Sequence, residues 1–417
     1  MIALFNYLLI FNVFAGGFVL FTSPFEFYLG YIFIISFLIM YILRYRNISI
    51  NRNFLIILIV LTISSLVNVY LGKDSIFLTT KQVLGILITG SAYYLLIKVN
   101  NYEINKLFKI YLEIALIVAA IGIFQEFSFL VGFRSGYDYS WMIQKWRFIP
   151  ATGGMLRVNS IFMEPTHLAV SMAPALFVSL AAILRNNSFY LTKKASILII
   201  ICYILTFSVI AYIAISISLI LILRSYVKKL KHLLLLAVTS LVLIYSAYYY
   251  IPEIRMRVDD AIGVATGTGK ISGSHLTVFA YTSSAFVAFK SFISSPLFGR
   301  GLGSHLVSYD EFIRPGNVFW QKGYTGVNKA DANSLFLRLV SETGLFGILV
   351  VFYFIFKFRL KRGDNKNLQI ISNAIFILFV IQLIRQGHYF YNGLFFFVWM
   401  YYFVYKIYNK SNLKISE

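Results

Sequence analysis

Apolar runs of 17 to 25 residues recur along this chain with short basic loops between them, and each is long enough to cross the ~30 Å hydrocarbon core of a bilayer as a helix. That pattern leaves little choice of fold. Only 13% of the 417 residues are charged and 59% are hydrophobic, against roughly a quarter charged in a water-soluble domain. The expected class is an all-α polytopic membrane protein with one integral membrane domain over 1–417. The net charge of +21 reads as membrane topology, since Lys and Arg gather in the loops that stay cytoplasmic, and no nucleic-acid partner is expected.

Apolar runs place spans at 3–21, 25–43, 54–71, 83–99 and 110–127, then at 168–184. The run 196–223 is too long for one crossing: at 1.5 Å per residue it measures about 42 Å. Charge parity resolves it. Two crossings put Arg224, Lys228, Lys229 and Lys231 on the same side as Arg185, Lys193 and Lys194, as the positive-inside rule requires. The reading is a pair of short helices breaking near Thr206-Phe207-Ser208, with the junction buried, because broken backbone at membrane depth needs protein or a water-filled cavity around it. Spans at 233–250, 335–356, 368–384 and 394–408 complete about twelve, with both termini cytoplasmic.

Two long extracytoplasmic loops remain, at about 128–165 and 252–332. The second mixes Gly-rich turns, charges and aromatics, the composition of a folded water-facing segment. Its apolar stretch 276–293 carries Thr, Ser and Lys290 and reads as an interfacial or re-entrant helix. The single Cys202 and five scattered histidines (His167, His232, His275, His305, His388) offer no metal-binding spacing. No cofactor or metal is expected.

Sorting charges by this topology leaves an outer set of cations that orientation does not require: Arg134, Lys145, Arg147, Arg157, Arg255, Arg257, Arg300, Arg314, Arg338 and Arg385. Arg presents a fixed fork of donors suited to phosphate, so a membrane-anchored anionic substrate at this face would account for them. Pairing with neighbouring acids or lipid phosphates would account for each singly. Glu164-Pro165 heads the sixth span, where Glu164 either satisfies free N–H groups at the helix start or positions Arg157 and takes a proton. Pro296-Leu297-Phe298-Gly299-Arg300-Gly301-Leu302-Gly303 is either a phosphate-approaching loop or a plain turn. Arg338 and Glu342, four apart, are spaced to pair on one helix face.

The order of these features resembles the O-antigen polymerase and ligase superfamily: Arg157 with Glu164-Pro165, the broken pair, Pro-Leu-x-Gly-x-Gly-x-Gly, then Asn333-Ser334-Leu335 and Glu342-Thr343-Gly344-Leu345-x-Gly347. The likeness covers roughly 157–347. It implies a metal-independent, inverting membrane glycosyltransferase of GT-C-type architecture that uses undecaprenyl-diphosphate-linked oligosaccharide at the periplasmic face of the bacterial inner membrane. Ligases of that superfamily carry His directly before the Asn, where this chain has Ala332 behind Asp331; that favours a polymerase, although His275 or His305 can stand in.

Leaving-group charge on a diphosphate calls for preorganised cations, and a hydroxyl acceptor calls for a proton acceptor. The candidate catalytic set is Arg157, Glu164, Arg257, His275 and Asp331. The candidate substrate-binding set is Arg147, Arg255, Arg300, His305, Asn333, Arg338, Arg385 and His388. Expected partners are the lipid-linked glycan, membrane lipids and a chain-length regulator docked on the long loop. Alternatives are a ligase acting on lipid A core or protein, and a flippase, which would show internal repeats and charges deep in its spans.

Overall fold

The computed structural model describes the chain except residues 24–25, 152, 185–189, 225–237, 239–240, 243–244, 247, 251, 267–270, 272–273, 322, 362–364, 391–392 and 416–417. Most of the expected span 233–250 lies outside the described residues, as do Arg185, Lys228, Lys229, Lys231, His232 and the side chain of Arg257. Most of the described chain is helical. In order come α1 (Ile2–Phe11), α2 (Leu29–Tyr45), α3 (Arg52–Tyr70), α4 (Ile76–Val99), α5 (Ile104–Leu130), α6 (Arg134–Tyr137), α7 (Pro165–Ser171), α8 (Ala173–Leu184), α9 (Lys193–Ile204) and α10 (Val209–Arg224). After these follow α11 (Pro252–Thr266), α12 (Leu276–Ser294), α13 (Ser304–Phe312), α14 (Leu335–Lys357), α15 (Lys366–Ile384) and α16 (Leu394–Ile415).

Among the described residues six helices are long and apolar enough to cross a membrane: α3, α4, α5, α12, α14 and α15. A seventh exists if α7 and α8, bent by 61°, count as one. The protein is thus an all-α polytopic membrane protein with six or seven candidate spans among the described residues, which does not confirm twelve. Residues 3–21 depart most from expectation. The helix stops at Phe11, a 3₁₀ turn takes Ala15–Gly17, and Val19–Phe21 pairs antiparallel with Phe27–Tyr28. Gly17 and Gly30 explain the close packing there, since a Cβ would lie 2.7 Å from Ile143 in one case and 1.6 Å from the Asn12 amide in the other. In α7–α8 the bend falls at Met172, where Pro174 cannot donate to the carbonyl of Val170. α12, expected at the interface, matches a span in length and apolarity; its buried Ser283, Ser284 and Ser291 gave it a polar look in sequence.

The run 196–223 is broken as expected. α9 ends at Ile204, α10 starts at Val209, and Thr206 and Ser208 at the junction are buried. Phe207 takes a left-handed φ of 43°. A second break lies inside α14, where Gly344 has φ 57° and ψ −150°. Its freed backbone groups all find partners in the Gly-rich loop. The N–H groups of Arg300 and Gly301 donate to the carbonyls of Ser341 and Glu342, both at 3.0 Å, while Leu345 and Phe346 donate to Pro296 and Leu297 at 2.9 Å. The two sequence motifs are therefore two halves of one splice, which also explains why Gly299 cannot carry a side chain: its Cβ would lie 2.4 Å from the Glu342 carbonyl carbon. The last turns of α3 fasten the other side, with Asn68 donating to the Gly299 carbonyl (3.3 Å) and the Leu302 N–H donating to Ser65 (2.8 Å). Residues 252–332 fold around a small core of their own, built on Phe279, Val287, Tyr309, Ile313 and Phe319.

Gly299→Ala is expected to destabilise the protein by several kcal/mol through this backbone clash, whereas Gly132→Ala, also at positive φ but with open space around it, costs about 1 kcal/mol. Thermal unfolding in detergent compares them, and equal losses contradict the splice.

Asp74, in the α3–α4 turn against Gly301, receives the Ser75 N–H (2.7 Å) and the Thr79 hydroxyl (2.9 Å). Burial pushes its carboxyl up from 3.8 to about 7, against those two hydrogen bonds. Between these pH values the folded state holds a proton that the unfolded state has lost, so stability falls as pH rises from about 4 to 7. Asp74→Asn is expected to flatten that slope in melting temperatures measured from pH 5 to 8.

Candidate functional site

A polar pair inside α5 sets the position of the first outer loop. The Gln125 side-chain oxygen accepts the N–H groups of Asn159 (3.3 Å) and Ser160 (2.8 Å), and its amide donates to the Asn159 side chain (3.0 Å) and the Tyr137 carbonyl (3.2 Å). Next to it the Glu126 carboxylate accepts the Leu156 N–H. Ser160 sits at φ 48° and donates its hydroxyl to the Val118 carbonyl. The loop is thereby held at depth beside the α9–α10 break, where Val158 donates to the Leu205 carbonyl (2.9 Å) and the Arg157 Nε to the Thr206 carbonyl (3.4 Å). Arg157, buried, is aimed by backbone on both sides. Gln125 and Glu126 escaped the sequence reading, yet two adjacent polar residues inside an apolar run were the available signal.

Arg157 opens onto a cavity of about 640 Å³. Its polar lining is Arg157, Glu164, Thr166, Ser208, Thr277, Thr282 and Arg385, with Tyr281 alongside. Six segments build it: the outer loop through Ile149 and Arg157, the α7 start, the α9–α10 break, α11 through Val258, Ala261 and Ile262, α12, and the α15 end. Glu164 occupies the N-cap position of α7 but makes no capping hydrogen bond; its carboxylate reaches the exposed Arg147 at 3.3 Å on the rim. The Tyr281 hydroxyl donates to the Ile384 carbonyl at 3.0 Å, which ties α12 to the residue before Arg385. Arg385 follows in extended backbone, and its Nη1 is buried with no hydrogen-bond partner among the described residues.

A second group adjoins. His388 Nε2 lies 3.5 Å from an Asp331 carboxylate oxygen, and Asp331 also accepts the Asn333 N–H at 3.0 Å. The two segments are stitched together: Gln386 donates to the Asn333 carbonyl and the Ser334 hydroxyl to the Leu383 carbonyl. Gly387 passes so close that a Cβ there would lie 1.5 Å from the Asp331 carbonyl oxygen. Burial lowers the His388 imidazole from its ordinary range while Asp331 pulls it up. His167, on α7, stands within electrostatic reach of Glu164, Arg385, Asp331 and His388 and so joins the two groups.

Other expected site residues lie elsewhere. Arg338, 1% exposed, donates to Glu342 and to the Gly387 carbonyl, both at 2.9 Å, and stacks on Tyr389. Asn333 is buried in a turn at φ 60°. His305 is buried against Ser341 (2.9 Å), and burial pushes its imidazole down to about 3. Arg300 is buried, paired with Glu311, and packed on Phe312. His275 accepts the Thr277 N–H at 3.1 Å and so caps α12, and Arg255 is exposed near Asp259. Arg257 belongs to α11, one residue before the cavity-lining Val258. Among the described residues no three His, Cys, Asp or Glu side chains come close enough to hold a metal ion.

A family model described as O-antigen ligase matches residues 195–352, from the first residues of α9 through the break in α14. Over that stretch, less than half of the chain, the sequence is similar to the O-antigen ligase family. No curated protein matches the chain. Within the matched stretch lie the α9–α10 break, the α11 and α12 walls of the cavity, the Gly-rich splice and Asp331, whereas Arg157, Glu164, Arg385 and His388 fall outside it.

Gln125→Leu is expected to leave the Asn159 and Ser160 N–H groups buried and unpaired, at a cost of about 1–3 kcal/mol, and to release Arg157 from the cavity wall. Thermal unfolding with an activity assay checks both. Unchanged values for the two would contradict the account of the loop.

Proposed function

We propose that the protein is a polysaccharide polymerase that joins undecaprenyl-diphosphate-linked repeat units at the extracytoplasmic face of the membrane. The observation that carries this reading is the cavity in which two guanidinium groups, Arg157 and Arg385, share a wall with Glu164 and with hydroxyls of Thr166, Ser208 and Thr282. Its volume of about 640 Å³ falls in the range of small-ligand sites.

The step is a single displacement. An acceptor hydroxyl oxygen forms a bond to the anomeric carbon of the donor as the bond from that carbon to the diphosphate oxygen breaks, so the configuration inverts. The bonding pair leaves with the diphosphate. Arg157 and Arg385, already in place on the cavity wall, meet the developing charge as preorganised cations. Arg257 is assigned to the same anion from α11. The hydroxyl proton passes to Glu164, which of the three candidate acceptors (Glu164, Asp331 and His275) is the one that lines the cavity. Asp331 and His388 steady Arg385 through the stitched segment between Leu383 and His388.

The family description favours a second reading, a ligase that delivers the finished glycan to a lipid or protein acceptor. The same displacement serves both, and only the acceptor differs.

With purified protein and synthetic lipid-linked units, Arg157→Lys and Arg385→Ala are expected to lower kcat by about 10²-fold or more. Glu164→Gln is expected to lose about 10² to 10⁴-fold, while melting temperatures stay near wild type. Full activity of Arg385→Ala would overturn the anion assignment.

A further inference from the structure

A second, smaller groove of about 220 Å³ runs between α2 and α4, walled by Ile34, Ile35, Leu84 and Ile88 and closed by Phe390. Phe390 packs against Gly85, where a Cβ would lie 2.5 Å from its ring. Ile35, Leu84 and Ile88 stay well exposed, so the groove opens sideways on an apolar surface that in a bilayer meets lipid. One cation lines it. Lys81, on the second turn of α4, is partly buried and makes no hydrogen bond or ion pair among the described residues. The acid that acts on it is Glu26, which is already engaged by Lys145 and Tyr28; Arg338 adds a further positive charge to its surroundings. An anion at Lys81 with an apolar chain along the groove satisfies both features at once.

The groove and the cavity share one segment. Ile384 and Arg385 line the cavity, Phe390 lines the groove, and His388 between them lies within electrostatic reach of Lys81 and Glu26. We propose that the α2–α4 groove is the anchor site for a second lipid-linked glycan, with a polyprenyl chain along the groove and its phosphate on Lys81. The inference rests on the polymerase reading, in which both substrates carry a lipid. It supplies what the cavity alone lacks. The acceptor hydroxyl sits at the far end of a glycan from its own lipid phosphate, so the acceptor's anchor has to lie away from the reacting diphosphate, and Lys81 offers that place.

The test uses the full-length protein in phosphatidylcholine nanodiscs. A photoactivatable polyprenyl monophosphate, mapped by mass spectrometry, is expected to label α2 and α4 near Ile35 and Ile88. Lys81→Ala is expected to reduce that labelling about 10-fold, Lys81→Arg to keep most of it, and Ile88→Trp to block it by filling the groove. For kinetics, the donor is a unit capped at its non-reducing end, and the acceptor is a unit on polyprenyl monophosphate, which cannot leave. Lys81→Ala should raise the acceptor KM about 10-fold with kcat and the donor KM unchanged. No labelling of the groove, equal competition by phosphatidylglycerol, or a change in the donor KM instead would each overturn the proposal. Wild-type protein that takes the label but transfers nothing would retain the lipid site, overturn its role as acceptor anchor, and sink the polymerase reading separately.

Discussion

Backbone that breaks among apolar surroundings must find new hydrogen-bond partners, because nothing in the hydrocarbon region will supply them. Among the described residues the helices break at Met172, at Thr206–Ser208 and at Gly344. Each break is met by protein. At Gly344 the Gly-rich loop supplies two donors and two acceptors, and at the α9–α10 junction the loop that carries Arg157 supplies one donor from its backbone and one from its guanidinium. The breaks are what bring charged side chains to depth without leaving them unsupported.

Buried charge is managed by the same means. Arg338 and Glu342 neutralise each other, and Arg338 extends a donor to the Gly387 carbonyl. Such a pair is weak as a source of stability, since desolvation offsets much of the attraction, but breaking it would leave an uncompensated ion. Its placement has a geometric consequence: the segment from Arg385 to Tyr389 is held against Asp331, which puts Arg385 on the cavity wall and His388 beside a carboxylate. The guanidinium expected to bind substrate therefore supports one that does line the cavity.

Much of this was legible in residues. Charge parity and helix length located the break at Thr206–Ser208, and i,i+4 spacing located the Arg338–Glu342 pair. Other features were hidden by the local nature of the reading. Pro296–Gly303 and Glu342–Gly347 were visible as motifs, but their mutual pairing is a contact across some forty residues that periodicity does not record. The stretch 3–21 is apolar enough for a span, and hydropathy carries no trace of the tight packing that Gly17 and Gly30 permit. Lys81 lies just before the expected span 83–99 and was not singled out among the outer cations. Gln125 and Glu126 were legible in principle and were passed over because the run around them is so apolar.

The central claim is that this site joins lipid-linked repeat units. The most direct measurement is the length distribution of the cell-surface polysaccharide on a gel after deletion of the gene, with complementation by the intact protein. A single repeat unit on its acceptor, restored to a ladder by complementation, is the predicted result. Loss of surface glycan while long chains accumulate on undecaprenyl diphosphate would contradict it in favour of a ligase, and unpolymerised units held at the cytoplasmic face would contradict enzymatic transfer altogether.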